Sequence, residues 1–237
     1  MLFTGLTAAH ATNLGFGQLG GNNTTVPVNF GSRATVDAPG LVVALGGATP
    51  NIELTWDYGR PSNEWDIHTS SWFSSLEEEF IGGGAWDNEG NVPRIGQLDF
   101  GDHTILFSVD DGYSLVLNSF DFGLTGETAN TTTSWNLTLT ALSTNIVVWS
   151  QSITFEVVGN TADTQVITPN FTGVSGEDYL LTFHRTFQSF PSDGRHGIDN
   201  LSFSQVVAVP EPATYGVALA GLLGALAVAR RRKASKD

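Results

Sequence analysis

The sequence predicts an all-β, antiparallel sandwich followed by a single C-terminal transmembrane helix. Three observations predict it. Apolar and polar residues alternate with period two over seven runs: 98–100, 104–109, 114–122, 135–142, 146–158, 179–187 and 198–207. Glycine is plentiful, 27 in 237 residues, and breakers such as Asp110-Asp111-Gly112 and the stretch 123–133 separate the runs. Before residue 213 no helical periodicity of useful length appears, beyond a possible turn at 74–80.

The first residues suggest export. Leu2 to Ala9 is mildly apolar, and Ala9-His10-Ala11 fits the small-x-small pattern that precedes signal-peptide cleavage. Residues 1–11 are therefore expected to be a truncated signal-peptide remnant. The chain has no cysteine, which excludes disulfides, thiolate metal sites and cysteine nucleophiles.

Residues 12–208 are expected to form one extracellular domain, long enough to bury a substantial core. Strands at roughly 8–15-residue spacing suit a jelly roll. Residues 135–142 show the pattern cleanly, with Trp135, Leu137 and Leu139 on one face and Asn136, Thr138 and Thr140 on the other. No internal repeat points to a solenoid or propeller.

Charge sets this body apart. It holds five arginines, no lysine and 22 acidic residues, for a net charge of −17. Such a surface disfavours nucleic acid and anionic lipid, and it attracts divalent cations. Solubility alone would also account for it.

One segment breaks the rhythm. Residues 56–97 hold four of the six tryptophans, a triglycine, two prolines and eight acids, and read as a long loop of the kind that carries function. Trp56, Tyr58, Trp65, Trp72 and Trp86 form the candidate ligand-binding set. Flat aromatic faces interleaved with carboxylates and amides suit sugar rings, whose C–H faces pack on the π-systems while polar groups take the hydroxyls. The competing expectation is that these rings fold back to cover the end of the sandwich.

Enzymatic chemistry finds little footing. The five histidines show no paired metal spacing, and neither a nucleophile elbow nor a phosphate loop is present. With 22 acids, any pair chosen for a glycosidase is uninformative. Asp110-Asp111-Gly112 and 86–90 have a calcium-loop flavour but lack the full loop pattern, and read as turns.

The last 29 residues have three parts in strict order. Pro210-Glu211-Pro212 holds a glutamate extended between prolines. An uncharged apolar run, 213–229, would reach roughly 25 Å as a helix, a short but credible membrane span. Arg230, Arg231, Arg232 and Lys233 then form a basic stop that stays cytoplasmic, which leaves the body outside. This order resembles the PEP-CTERM sorting domain of bacterial exported proteins. The resemblance implies recognition at Pro210, Glu211 and Pro212 by an exosortase-type membrane enzyme. It also implies tail removal and passage from inner-membrane anchorage to the cell surface or medium, in a matrix or biofilm setting.

A second resemblance rests on Gly197-Ile198-Asp199-Asn200-Leu201-Ser202-Phe203. The run is similar to the final strand of jelly-roll domains related to carbohydrate-binding modules. The resemblance implies a structural calcium ion on Asp199, completed by oxygen ligands near residues 13–18. Hard oxygen donors in an acidic exported domain suit that ion. The expected function is non-enzymatic binding of extracellular polysaccharide. A structural matrix protein without a discrete ligand, a polysaccharide hydrolase and, more remotely, an ice-binding surface stand as alternatives.

Overall fold

The computed structural model describes residues 11–15, 24–39, 41–57, 66–69, 91–95, 102–125, 131–157, 162–189 and 195–208. Residues 1–206 form one compact unit, and 207–237 belong to a second, of which only 207–208 are described.

The chain runs β1 (Thr12–Leu14), β2 (Thr24–Thr25), β3 (Leu41–Val43), β4 (Ile52–Trp56), β5 (Asp66–Thr69), β6 (Asn91–Ile95) and β7 (Asp102–Val109). It continues through β8 (Tyr113–Thr125), β9 (Thr131–Ala141), β10 (Ile146–Val157), β11 (Ala162–Ile167), β12 (Phe171–Thr172), β13 (Tyr179–Gln188) and β14 (Arg195–Val207). All described pairings are antiparallel.

Two sheets result. One is five-stranded, in the order β10-β9-β13-β7-β4. The other has nine strands along β11-β8-β14-β6-β5-β2, with β1 between β14 and β3, and β12 beside β8. Most connections pass from one sheet to the other. The corner between β7 and β8 is Asp110-Asp111-Gly112, where Gly112 has φ 84° and the Tyr113 N–H donates to the Asp110 carbonyl at 3.2 Å. A side chain is strained at that φ, so glycine is required there. The corner is fastened by Arg33, whose guanidinium makes two hydrogen bonds to the Asp110 carboxylate, at 2.8 and 3.0 Å.

The core lies between the sheets and is aromatic at its centre. Phe122 of one sheet meets Trp135, Phe155 and Phe183 of the other at ring-centroid distances of 5.4–5.6 Å. Phe107 meets Phe203 and Phe120 meets Phe183, each at 5.7 Å and edge-on. These edge-to-face contacts place the positive rim of one ring on the negative face of another. The alternation of β9 comes out as read: Trp135, Leu137 and Leu139 are buried, while Asn136, Thr138 and Thr140 face outward.

Six of the seven alternating runs are strands. The seventh, 98–100, lies outside the described residues. The segment 56–97 differs from its expected loop character. It contains β5 and β6, which pair with each other and join the larger sheet through β2 and β14. Pairing with distant strands imposes extended structure that local alternation does not announce.

Candidate functional site

Trp56 is the one member of the predicted aromatic set within the described residues, and its role needs correction. It is 1% exposed, packs near Phe30, and its indole N–H donates to the Phe30 carbonyl at 2.9 Å. A ring satisfied inside the core offers no face to a sugar. Tyr58, Trp65, Trp72 and Trp86 lie outside the described residues, as do the sorting triplet 210–212, the apolar run 213–229 and the basic stop 230–233.

The pleat brings a different set together. On the outer face of the five-stranded sheet, Ser152, Asn136, His184 and Asp102 stand side by side on β10, β9, β13 and β7. With strands about 4.8 Å apart, this row spans about 14 Å. The Ser152 hydroxyl donates to the Asn136 side-chain oxygen at 3.4 Å, and His184 Nδ1 is in close hydrogen-bonding contact with the Asp102 carboxylate. A parallel row holds Ser150, Thr138, Thr182 and Thr104.

A bulge in β13 adds an aromatic ring to this face. Register slips between Arg185 and Phe187, with Thr186 as the extra residue. Phe187 thereby lands opposite Ser134 on the outer face, half exposed at 50%. Without the bulge, strict alternation from the buried Phe183 and Arg185 would have sent residue 187 inward. Sequence reading missed Phe187 for that reason. The Phe-Gln after Thr186 carries no turn residue that would have flagged the slip.

The same pleat sends His184 and Arg185, neighbours in sequence, to opposite faces. His184 faces solvent, while Arg185 is 2% exposed, with its guanidinium 6.0 Å from the Trp135 ring centroid. Nearby in the interior, His103 and Asp57 are both buried, with Nδ1 and Oδ1 3.5 Å apart.

Asp199 occupies a second bulge. Ile198, Leu201 and Phe203 are all fully buried, so one residue too many lies between the first two, and Asn200 takes φ 51°. Asn200 ties two carboxylates together. Its backbone N–H donates to Asp199 Oδ1 and its side-chain amide to Asp121 Oδ2, both at 2.8 Å. Burial pushes the Asp121 carboxyl above the usual carboxylate range, partly offset by that amide. Leu14 of β1 pairs with Leu201, two residues beyond Asp199. Among the described residues no three His, Asp or Glu side chains converge to hold a metal.

The other candidate turn is structural. Asp110 is held by Arg33, which keeps its carboxyl below the usual range. Residues 86–90 lie outside the described residues.

Beyond the described residues, comparison identifies the tail. Residues 208–233 match the PEP-CTERM protein-sorting motif. The sorting motif begins one residue after β14 ends, covers Pro210-Glu211-Pro212, and implies an exported protein. No curated protein matches the chain. Among solved structures it is similar to a CBM28 module described as specific for non-crystalline cellulose. That match has 14% identity and TM-score 0.35, over 78% of this chain and 96% of that one. It is also similar to TmCBM61, solved with β-1,4-galactotriose, at 10% identity and TM-score 0.30, over 66% and 88%. A third is the arabinose-bound MgGH51 α-L-arabinofuranosidase, at 10% identity and TM-score 0.37. There 85% of this chain matches 27% of that enzyme, about a quarter of its length.

Proposed function

We propose that the body is a non-enzymatic jelly-roll module that binds extracellular polysaccharide on the outer face of the five-stranded sheet. The observation that carries this is the Ser152–Asn136–His184–Asp102 row with the exposed Phe187 beside it. An aromatic face next to a line of donors and acceptors suits a chain of hydroxyl-bearing rings lying across the strands. The non-enzymatic part draws support from five of the described carboxylates, which have structural tasks. Asp37 and Asp178 accept backbone N–H groups, Asp110 holds Arg33, Asp121 holds Asn200 and Glu177 holds Ser143.

The test is calorimetric titration of the protein with soluble polysaccharides. Phe187→Ala is expected to weaken binding by at least tenfold while the circular dichroism melt stays in place. Undiminished binding by that variant removes the site. If tryptophans at 65 and 86 carry binding instead, Trp65→Ala with Trp86→Ala will abolish it and Phe187→Ala will not.

The tail routes this module outward. In our reading the 213–229 run holds the chain in the membrane, and an exosortase-type enzyme then cleaves near Pro210-Glu211-Pro212. Glu211→Ala should leave full-length protein in the membrane fraction, and normal release of that variant would refute the role. Calcium at Asp199 is the remaining element. Its full burial and the pairing of β1 with residues 201–203 beside it fit a hard cation. A melting temperature indifferent to EDTA would exclude it.

A further inference from the structure

The two edges of the five-stranded sheet are treated differently. At one edge, β4 is capped by residues 28–33. The Trp56 N–H donates to the Val28 carbonyl at 2.9 Å, and the Arg33 N–H donates to the Ile52 carbonyl at 2.8 Å. The Ser32 hydroxyl bridges both the N–H and the carbonyl of Leu54, at 2.8 and 2.7 Å. That edge can take no further strand.

At the other edge lies β10, twelve residues long and paired only with β9 among the described residues. Natural edges are usually blunted by lysine, proline, inward charges or extreme shortness. β10 has none of these; a bulge between Val147 and Trp149, itself a blunting device, confines the regular edge to residues 149–157. The β9–β10 ribbon, residues 131–157, carries a single charge, Glu156, although 14% of the whole chain is charged. In a body of net charge −17 a like-charged copy can approach here with little repulsion, because separate surface charges are screened beyond about 8 Å.

The strand is also complementary to itself. Outward residues are Ser150, Ser152, Thr154 and Glu156, and inward ones Trp149, Gln151, Ile153 and Phe155, as their partners on β9 dictate. An antiparallel self-pairing centred on Ser152 sets Ser152 against Ser152 and Ser150 against Thr154 of the second copy on the outer face. On the inner face it sets Trp149 against Phe155 and Gln151 against Ile153. Hydroxyls meet hydroxyls, and the half-buried Trp149 gains an aromatic neighbour, the pairs that favour adjacent strands.

We propose that β10 is the surface through which two copies of this chain join, antiparallel about a two-fold axis at Ser152, into one ten-stranded sheet. Because β4 is capped, growth through this sheet stops at two copies, as an isologous contact requires. The dimer places two copies of the outer polar face side by side.

The absence of cysteine makes the test clean. Single variants Ser150→Cys, Ser152→Cys and Thr154→Cys of the full chain in detergent are oxidised, with Val166→Cys as reference, a site 63% exposed at the edge of the other sheet. Directly opposed residues on antiparallel strands lie at about 4.5–5.5 Å, the separation a disulfide bridges. Ser152→Cys is expected to form dimers at least tenfold faster than Val166→Cys, with the flanking sites slower than 152. Equal rates at 152 and 166 would overturn the proposal and point to association through the tail. As a second readout, Ser150→Glu with Ser152→Glu should shift wild-type dimer to monomer in sedimentation without moving the melt. A dimer that persists in that variant also overturns the proposal.

Discussion

The interior of the sandwich is apolar at one end and polar at the other. Toward the 110–112 corner, the inward positions of β7, β9 and β13 are Phe107 and Val109, Leu139 and Ala141, and Tyr179 and Leu181. Toward the opposite end the same three inward series finish in His103, Thr133 and Arg185, all nearly inaccessible to solvent. Asp57 joins them from the end of β4, held at φ 52° with its N–H on the Thr104 carbonyl. Pleat geometry is indifferent to polarity: once register is set, every second residue points inward. The apolar end can provide stability by burial alone. The polar end must give its buried polar groups partners, and therefore favours one arrangement over many.

The largest effects should come from where the two ends meet. Phe122 touches rings on three strands of the facing sheet, so Phe122→Ala is expected to cost about 3–5 kcal/mol in denaturant unfolding. At the polar end, His103→Leu sets an apolar group against the buried Asp57 and should cost about 1–3 kcal/mol. Combining it with Asp57→Asn, which removes the charge and tolerates the positive φ, should cost less than the two separate losses summed. Strict additivity would show that the two side chains do not act as a pair, and the contrast between the ends would reduce to one of size.

Alternation made the long strands legible, and bulges hid the rest. β7, β8, β9, β10, β13 and β14 were each anticipated within a few residues, because half-buried strands write their faces into the sequence. The slips at Val148, Thr186 and Asp199–Asn200 break that code by one residue each. The slip at Thr186 turned Phe187 outward, and with it the proposed sugar-binding face. Short strands are illegible for another reason. β1 exists because residues 12–14 meet 201–203, a pairing that no local window contains. The sorting motif was fully legible, since its recognition depends on an ordered string of residues and not on tertiary contact.

A smaller effect tests whether the outer face of the larger sheet shares the polar end's need for pairing. Asp121 sits there almost buried at 9% exposure, with Asn200 as its amide donor. Its folded-state pKa is raised by burial, so the folded protein takes up this proton at a higher pH than the unfolded chain. The ionised carboxylate therefore lowers stability at neutral pH, and that cost fades as pH falls from the folded pKa toward the ordinary aspartate value. Asp121→Asn keeps an acceptor for Asn200 and removes the charge. It should raise the melting temperature by a few degrees at pH 7, with the advantage shrinking on acidification. A variant melting below wild type at pH 7 would mean that the charge is stabilised there, as it would be by a bound cation.

The smallest effect belongs to the apolar end. Arg33 clamps Asp110 and also approaches Glu53 at 3.5 Å, but all three side chains are about half exposed. Asp110 is held below its ordinary pKa chiefly by the Arg33 hydrogen bond, so this contribution is present above the ordinary aspartate value and is lost as pH falls through the lowered one. Water and salt screen such a pair, and the corner keeps the Gly112 turn and the Asp110 N–H bond to the Asn51 carbonyl without it. Arg33→Ala should therefore lower the melting temperature only slightly at low salt and not at all at high salt. A large, salt-independent loss would mean that the corner depends on this ion pair as the interior depends on Asp57 and His103. Polar pairing would then be required at both ends of the sandwich.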